Sequence, residues 1–476
     1  MKVLHDELES YLADESGIRS RGVNCVYMPE NKREMAQTVK GLNGPFTVFG
    51  GGTGLCGGSV QEGGVVAAVK YLNKIEISKN KKSVFAGAGA TLGELHTFLN
   101  KNDLWYPVDS TEQTATIGGN LATNAWGTRS FKYGSVRNFV KGIEIILPGG
   151  EALSIKRGDV IADGESFRFT AENKRYTFNI KDLSGKAKGK TSAGYYMKKN
   201  MDLIDLFIGS EGTLGVITSA ELDVAERPHD IMCFLVSFQS EEKAFDFIKK
   251  IKKESKKYDI LSLEYYDCRS IQFLEKDYPL VKGKGALVFL EKEVSRPKDD
   301  EEILETLGGF IEDAAGPVSE VHVASTKNKE GFIYEMREAL PRMVNEYMRG
   351  RGMKKVSTDF SFPESKFDKM IKIYKNNLKG IKIKYVIFGH AGNNNIHINF
   401  LPSCKKEYDE SKLLYKQIAW DVVGAGGCVS AEHGIGKLKR EYFYMMYSRG
   451  EIEAMKKVKK TLDYKGICGN GNIFYD

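Results

Sequence analysis

Three histidines and a glutamate near the C-terminus provide the side chains of a metal site and of a proton acceptor. His390 and His397 flank a turn rich in glycine and asparagine, and Glu432 directly precedes His433. Two imidazole nitrogens and a carboxylate oxygen can hold a divalent ion and keep one coordination position open. In this interpretation His433, which lies next to Gly434, remains available for proton transfer.

The sequence around the first two histidines predicts a β-hairpin. A strand-like run at 385–388 breaks at Gly389, turns through 392–395 and resumes at 396–400. Such a hairpin would bring both imidazoles to one end of the strand pair. The alternative is that the two histidines are ordinary hydrogen-bonded turn residues and that Glu432 begins a helix.

Length, charge and cysteine content narrow the class of protein. A chain of 476 residues is too long for one compact core, which predicts two or three domains. The formal charge of +7 is small for this length, and the lysine-rich runs contain no interleaved aromatic residues, which argues against nucleic-acid binding. A modest positive charge suits an anionic substrate or an acidic partner. The seven cysteines are scattered without a C-x-x-C pair, which predicts reduced thiols, no resident iron–sulfur cluster and an electron acceptor on another molecule.

No apolar run is long enough to predict a membrane span, and the first residues lack the apolar stretch of a signal peptide. We therefore expect a cytoplasmic protein that reaches a membrane only through a partner.

The composition and the predicted secondary structure of the chain change near residue 226. The first 225 residues are glycine-rich and dominated by short strands, whereas the following part alternates strands with charged amphipathic helices, which predicts an α+β domain with an antiparallel sheet. The predicted elements are strands 231–239, 260–266, 285–294, 319–326, 354–362 and 383–389 and helices 241–257, 299–313, 329–349, 364–378, 406–423 and, near the C-terminus, 438–461. The last fifty residues return to glycine-rich loops and are expected to pack onto the first domain.

Three glycine-rich segments predict an extended cofactor. The segment 50–59 carries six glycines after a strand, and bare backbone of this kind can wrap a diphosphate with its amides. Residues 52–57 satisfy G-x-G-x-x-G, but a strand-like run follows instead of a helix, so a Rossmann site is disfavoured. Segments 106–127 and 209–217 combine glycines with small hydroxyl and amide side chains. Each alone could be a tight turn or a β-bulge, whereas together they favour one cofactor held in several places.

The order and the residue sequences of these segments resemble those of the vanillyl-alcohol oxidase/p-cresol methylhydroxylase flavoprotein superfamily. Within it, the chain is most similar to the branch of D-lactate dehydrogenase, D-2-hydroxyglutarate dehydrogenase and the glycolate oxidase catalytic subunit. The resemblance implies an α+β fold with a two-part FAD-binding domain, residues 1–225 and 425–476, interrupted by an α+β cap over 226–424. It places non-covalent FAD on Gly50, Gly51, Gly52, Thr53, Gly54, Leu55, Gly57, Gly58, Ser59, Pro107, Asp109, Thr116, Ile117, Gly118, Gly119, Asn120, Thr123, Asn124, Gly127, Glu211, Gly212, Gly215 and Ile217.

The same resemblance implies roles for the polar residues. His390, His397 and Glu432 would bind a divalent metal, zinc or manganese, and His433 would be the catalytic base. Asn399 would lie beside the substrate, and Arg337 would clamp the substrate carboxylate, a task suited to a bidentate guanidinium. The implied activity is FAD-dependent oxidation of a small D-2-hydroxy acid, D-lactate or glycolate-like. Electrons would leave to an electron-transfer protein, an iron–sulfur subunit or a quinone, and the assembly could be a homodimer.

The chain departs from the family pattern in five places. Residues 392–395 read Gly-Asn-Asn-Asn where Gly-Asp-Gly-Asn is common, which removes an acid near the metal. Ser357 and Pro341 stand where 2-hydroxyglutarate enzymes carry a lysine and a threonine, which puts that substrate in doubt. Residues 469–470 read Gly-Asn where Asn-Pro is usual, and the segment 156–200 is longer than the common pattern.

Three other functions account for less of the sequence. An ether-lipid-synthase-type transferase would need a long apolar tunnel and a membrane-facing segment. A flavoprotein subunit of a larger electron-transfer complex need not keep all the ligand positions and the base. A metal hydrolase would leave the glycine segments without a role.

Overall fold

The computed structural model describes residues 1–475 except 187, 298, 318 and 326–331, and the chain divides into two compact units. The first unit contains Met1–Gly127, Gly134–Glu226 and Cys428–Asp476, and the second contains Thr128–Tyr133 and Arg227–Gly427. The sequence analysis places 128–133 in the first domain, whereas the structure groups this segment with the second unit. There the Lys132 ammonium lies 2.7 Å from a carboxylate oxygen of Asp259.

The first unit is built on two sheets. Its strands are β1 (Lys2–Leu4), β2 (Val23–Met28), β3 (Phe46–Phe49), β4 (Gly64–Ala68), β5 (Ile75–Ile77), β6 (Ser83–Gly87), β7 (Leu104–Trp105), β8 (Val140–Ile146), β9 (Ala152–Lys156), β10 (Ser166–Ala171), β11 (Lys174–Asn179), β12 (Val216–Asp223) and β13 (Ala225–Glu226). One sheet has the order β1-β2-β4-β3, with β4 parallel to both β2 and β3. The other has the order β5-β6-β12-β8-β9 and is antiparallel. In addition, β10 and β11 form a separate hairpin, and β7 pairs with β13.

The helices of the first unit are short, and the C-terminal segment packs among them. They are α1 (Lys32–Gly41), α2 (Leu92–Asn100), α3 (Ile117–Ala122), α5 (Ile204–Phe207), α13 (Arg440–Met446) and α14 (Arg449–Leu462). The Phe46 amide donates to the Ile467 carbonyl and the Gly469 amide donates to the Phe46 carbonyl, both at 2.8 Å. The tail therefore lies alongside β3, the strand that leads into the first glycine segment.

The second unit is one seven-stranded antiparallel sheet with helices. Its strands are β14 (Asp230–Phe238), β15 (Ile260–Asp267), β16 (Ala286–Val294), β17 (Glu320–Ser325), β18 (Val356–Ser357), β19 (Tyr385–His390) and β20 (Asn395–Phe400), in the order β17-β14-β16-β15-β19-β20-β18. Its helices are α4 (Ser130–Tyr133), α6 (Glu241–Tyr258), α7 (Cys268–Leu274), α8 (Asp299–Ile303), α9 (Gly309–Ala315), α10 (Phe332–Arg349), α11 (Phe367–Leu378) and α12 (Lys405–Gly424). The α+β class and the antiparallel sheet predicted from the sequence are confirmed.

Most predicted elements of this unit are confirmed within a few residues, and the exceptions have physical reasons. The strand predicted over 354–362 is wrong beyond Val356–Ser357. The Asn395 side chain donates a hydrogen bond to the Phe360 carbonyl at 2.8 Å. This side-chain bond replaces a backbone hydrogen bond to a neighbouring strand. A π-helical turn, Leu304–Gly308, interrupts the helix predicted over 299–313. The predicted ends at 326 and 329–331 lie outside the described residues.

One further helix prediction is wrong, and one helix was not predicted. The helix over 438–461 is two helices, because Tyr447 is extended and Ser448 caps the second helix with a Ser448/Glu451 capping box. The helix Cys268–Leu274 was not predicted, and Asp267 caps it by accepting a hydrogen bond from the Ser270 amide.

Candidate active site

The first glycine segment leaves β3 as a loop with unused amides. Among the described residues, no protein group accepts a hydrogen bond from the amides of 51–55. A Cβ on Gly51 would lie 2.6 Å from the Thr114 carbonyl oxygen, and one on Gly50 would lie 2.4 Å from the Thr116 hydroxyl. The loop therefore packs directly against 114–116, which only glycine permits, and its free amides suit an anionic group such as a diphosphate. As predicted, it runs into a strand, β4, and not into a helix.

The second glycine segment contacts the first through helix α3. Thr116 caps α3 by accepting a hydrogen bond from the Gly119 amide at 3.3 Å. A Cβ on Gly118 would lie 2.7 Å from the Ala88 side chain, and one on Gly127 would lie 2.5 Å from the Asp109 amide. Here the glycines allow backbone segments to approach one another. They would contribute to a cofactor site by bringing the intervening polar side chains together.

The third segment joins the second by backbone hydrogen bonds. The Gly209 amide donates to the Leu121 carbonyl at 2.9 Å, and the Glu211 amide donates to the Ala122 carbonyl at 2.8 Å. Gly215 has a φ of 143°, and a Cβ there would lie 2.6 Å from the Ile146 carbonyl oxygen. The structure thus brings all three glycine segments together within the first unit.

The Glu211 side chain holds the loop that follows His433. Its carboxylate accepts hydrogen bonds from the Ile435 amide at 2.7 Å and from the Gly436 amide at 2.6 Å. Burial raises the pKa of Glu211 to about 7, although these amides and two nearby lysine ammonium groups oppose the shift. That Glu211 contacts the flavin stays a prediction; in the structure its carboxylate accepts hydrogen bonds from the protein's own backbone.

In the first unit, Glu432 lies between a lysine and a histidine. The Lys190 ammonium donates a hydrogen bond to Glu432 Oε2, and Glu432 Oε1 lies 3.6 Å from Nε2 of His433. The Lys190 side chain is fully buried, and that of Glu432 is 12% exposed. Glu432 and His433 lie in a loop, so the alternative that they begin a helix is wrong. Lys190 was missed because nothing in the sequence distinguishes it from Lys186 and Lys188.

The second unit contains the predicted hairpin and its two histidines. Strands β19 and β20 pair antiparallel, with Phe388 opposite His397, so the hairpin is confirmed, and β19 continues through Gly389 to His390. The His397 Nδ1 lies 2.7 Å from the Thr358 carbonyl oxygen, which can only accept a hydrogen bond. Nδ1 is therefore the donor in this contact, and Nε2 is the ring nitrogen that could bind a metal. The two imidazole centroids are 6.1 Å apart.

Gly389 is the residue that allows this arrangement. Its φ is 138°, and a Cβ there would lie 2.8 Å from Cδ2 of His397. The turn asparagines are used structurally, since Asn393 Oδ1 accepts from the Ser130 hydroxyl at 3.1 Å and Asn394 Nδ2 donates to the Pro363 carbonyl at 2.7 Å. Their side chains thus fix the turn between the histidines.

A buried carboxylate, Glu264, orients two of the predicted site residues. It accepts hydrogen bonds from Nη2 and Nε of Arg337 at 2.8 and 3.1 Å, and its Oε1 lies 3.4 Å from Nδ1 of His390. Burial would raise the pKa of Glu264, but the Arg337 guanidinium and the His390 imidazole offset burial and hold this pKa well below its usual range. Glu264 was not among the predicted site residues, although a single charged residue in the strand 260–266 signals a paired buried charge.

Asn399 belongs to the same face of the sheet. Tyr265 pairs with Gly389, Phe388 with His397, and Ser357 with Asn399. Because side chains alternate along a strand, Glu264, His390, His397, Asn399 and Ser357 all point to one face. The Ser357 hydroxyl donates to Asn399 Oδ1 at 2.8 Å, whereas no protein group satisfies the buried Asn399 Nδ2 among the described residues. That amide therefore has a donor available for a ligand.

These arrangements fit the groups that the sequence implies. Metal-bound histidines use one ring nitrogen and donate the other N–H to a carbonyl or a carboxylate. His397 has the carbonyl partner and His390 has the carboxylate partner. For FAD, the amides of 51–55 provide the donors that a diphosphate requires.

In the described parts of the chain, no helix combines the length and the apolar character needed to span a bilayer.

Two protein-family models match the sequence. Residues 227–473 match the family of FAD linked oxidases, C-terminal domain, and residues 23–156 match an FAD binding domain.

Curated relatives match over most of their length. The chain is 26% identical to a D-lactate dehydrogenase of Archaeoglobus fulgidus over 94% of this chain and 90% of that protein. It is 27% identical to glycolate oxidase subunit GlcD of Bacillus subtilis, covering 95% and 89%, and 30% identical to a mitochondrial D-2-hydroxyglutarate dehydrogenase of Danio rerio, covering 88% and 72%. A solved alkyldihydroxyacetonephosphate synthase aligns with a TM-score of 0.70 at 17% identity over 98% of this chain and 81% of that one, which shows a shared fold alone.

Proposed function

Because the chain belongs to the FAD-linked oxidase family, we propose that it is an FAD-dependent dehydrogenase that oxidises a small D-2-hydroxy acid to the 2-oxo acid. The arrangement of Glu264 carries this proposal. One buried carboxylate orients both Arg337, a cation suited to a substrate carboxylate, and His390, a candidate metal ligand. The similarity to enzymes named for D-lactate, glycolate and D-2-hydroxyglutarate supports the substrate class.

Arg337 has donors available for a substrate. A guanidinium has five N–H groups, and Glu264 engages one on Nε and one on Nη2. The remaining three can bind a substrate carboxylate while Glu264 keeps the guanidinium plane fixed. Fixing the carboxylate allows one face of C2 to meet the flavin, which is the basis of the proposed preference for the D enantiomer.

The remaining steps concern the proton. When bound, the flavin accepts two electrons and the hydrogen from C2, and a divalent metal lowers the pKa of the substrate hydroxyl. We assign His390, His397 and Glu432 as the metal ligands and His433 as the base that takes the hydroxyl proton. Glu432 Oε1 lies 3.6 Å from Nε2 of His433, so the assigned ligand and the assigned base are adjacent.

The flavin is proposed to be non-covalent and the metal to be zinc or manganese. Electrons would pass to a separate protein, an iron–sulfur subunit or a quinone, since the seven cysteines are scattered without the spacing of an iron–sulfur cluster. Molecular oxygen is then a poor acceptor.

A second candidate is a transferase of the ether-lipid-synthase type, which uses FAD without net oxidation. The likeness to alkyldihydroxyacetonephosphate synthase favours it only as far as a shared fold does. The two candidates differ in whether a 2-hydroxy acid reduces the flavin.

The test is a turnover screen of the purified yellow protein with an artificial dye acceptor. D-lactate, L-lactate, glycolate and D-2-hydroxyglutarate are compared at equal concentration. We expect dye reduction with D-lactate or glycolate and little with L-lactate. If no 2-hydroxy acid reduces the dye, or if L-lactate is preferred to D-lactate, the proposal is wrong.

A further inference from the structure

The segment after hairpin β10–β11 is tied to the loop that carries Glu432. The Ser192 amide donates to the Ser430 carbonyl at 2.9 Å, and its hydroxyl lies 3.2 Å from the Ala431 carbonyl oxygen. The Asn124 side chain donates to the Thr191 carbonyl at 3.1 Å. The backbone on the C-terminal side of Lys190 is therefore held in place, and Lys190 is positioned by a fixed frame.

The Lys190 ammonium is placed for a task beyond stability. Its side chain is fully buried, it donates to Glu432 Oε2, and its Nζ lies 5.7 Å from the Trp126 ring centroid. Both charged groups of a buried ion pair lose their hydration, so the pair adds little to the stability of the fold. An apolar pair of similar volume is often equally stable. Stability alone therefore does not account for a buried ammonium at this position, and its contact with Glu432 points to a role that depends on its charge.

We propose that Lys190 is a positioning residue that holds the Glu432 carboxylate in one orientation. Its ammonium engages Oε2, so Glu432 Oε1 stays directed to the His433 side. Ligating carboxylates in metal sites are usually held by such a hydrogen bond, and loss of the bond typically lowers metal affinity about 10–100-fold. The long segment 156–200, which the sequence analysis leaves without a role, then contributes to the site through Lys190.

This inference rests on the proposed function, in which Glu432 is a metal ligand. Its test compares Lys190→Met, which keeps the length and removes the charge, with Lys190→Arg, which keeps the charge. Lys186→Met is the matched control, because Lys186 lies in the same segment and is paired with Glu451 at 3.4 Å instead of with the site. Flavin content is measured from absorbance, and Zn²⁺ and Mn²⁺ affinity by competition with a chelator.

We expect Lys190→Met to keep its flavin and to bind the metal about 10–100-fold more weakly than wild type. Lys190→Arg should recover most of the affinity, and Lys186→Met should match wild type. Should Lys190→Met be insoluble, Lys190→Gln replaces it, since glutamine keeps a donor without the charge, and its affinity should fall below that of Lys190→Arg.

Two results would overturn the inference while leaving the proposed function intact. One is wild-type metal affinity in Lys190→Met or Lys190→Gln. The other is loss of flavin in parallel with metal in both neutral variants, which would show a merely structural role. A wild-type protein that binds neither Zn²⁺ nor Mn²⁺ and is not reduced by any 2-hydroxy acid would instead overturn the proposed function, and this inference with it.

Discussion

Replacing Glu264 by glutamine should destabilise the second unit and loosen the candidate site together. The side chains of Glu264 and Arg337 are 7% and 13% exposed, so water screens the pair little. A glutamine keeps the volume but leaves the guanidinium as a buried cation without its counter-charge. Removing one partner of a buried pair typically costs about 3–5 kcal/mol.

This cost converts into a measurable thermal shift. For a unit of roughly 200 residues, each kcal/mol corresponds to about 2–4 °C in Tm, so the expected loss is roughly 6–20 °C. The assay is differential scanning calorimetry at one scan rate. Asp368→Asn is the control in the same unit, because its partner Lys249 and Asp368 are 43% and 77% exposed. That exposed pair should give no measurable shift.

A double variant separates charge from packing. Glu264→Gln with Arg337→Met removes both charges, so it should unfold at a higher temperature than Glu264→Gln alone. The ion pair does not have the role assigned to it if Glu264→Gln unfolds at the same temperature as the Asp368→Asn control. The same conclusion follows if the double variant unfolds at a lower temperature than Glu264→Gln.

Three other predictions concern the cofactor, the metal and pH. Acid precipitation should release all the yellow colour, because Cys56 packs with its thiol donating to the Gly434 carbonyl; colour left on the pellet would contradict a non-covalent flavin. His397→Ala or chelation should abolish turnover while the flavin absorbance stays, and full activity after chelation would show that the histidines are structural. Glu211 has a pKa of about 7 in the folded protein against an ordinary value of 4.5, so the folded protein keeps a proton that the unfolded chain loses, and stability falls as pH rises through this window, by about 3 kcal/mol. Glu211→Gln should lack this fall in denaturant titrations at pH 4.5 and 7.5, and an identical pH dependence would contradict the assignment.

The hairpin around the two histidines could be predicted because its signals are local. Gly389 and the residues at 392–395 mark the break between two β-rich runs, and the pairing of Phe388 with His397 follows from the turn. The same locality would have divided the helix predicted over 438–461, since Ser448 and Glu451 have the spacing of a capping box.

The partners of the site residues could not be predicted, because they are distant in sequence. Lys190 and Glu432 are 242 residues apart, and Arg337 and Glu264 are 73 apart. Burial and pairing of such charges depend on which segments pack together, and periodicity contains no information on that. The resemblance gave candidate ligands and a candidate base but neither Glu264 nor Lys190, which orient them.

The central claim is that a D-2-hydroxy acid reduces the flavin with His433 as the base. The most direct measurement is anaerobic rapid mixing of the yellow protein with the preferred substrate, following flavin bleaching in wild type and in His433→Asn. Loss of a general base typically costs about 10²–10⁴-fold in rate, so the variant should bleach that much more slowly while keeping its flavin and its metal. A variant that bleaches at the wild-type rate, or a wild-type protein that no 2-hydroxy acid bleaches, would contradict the account.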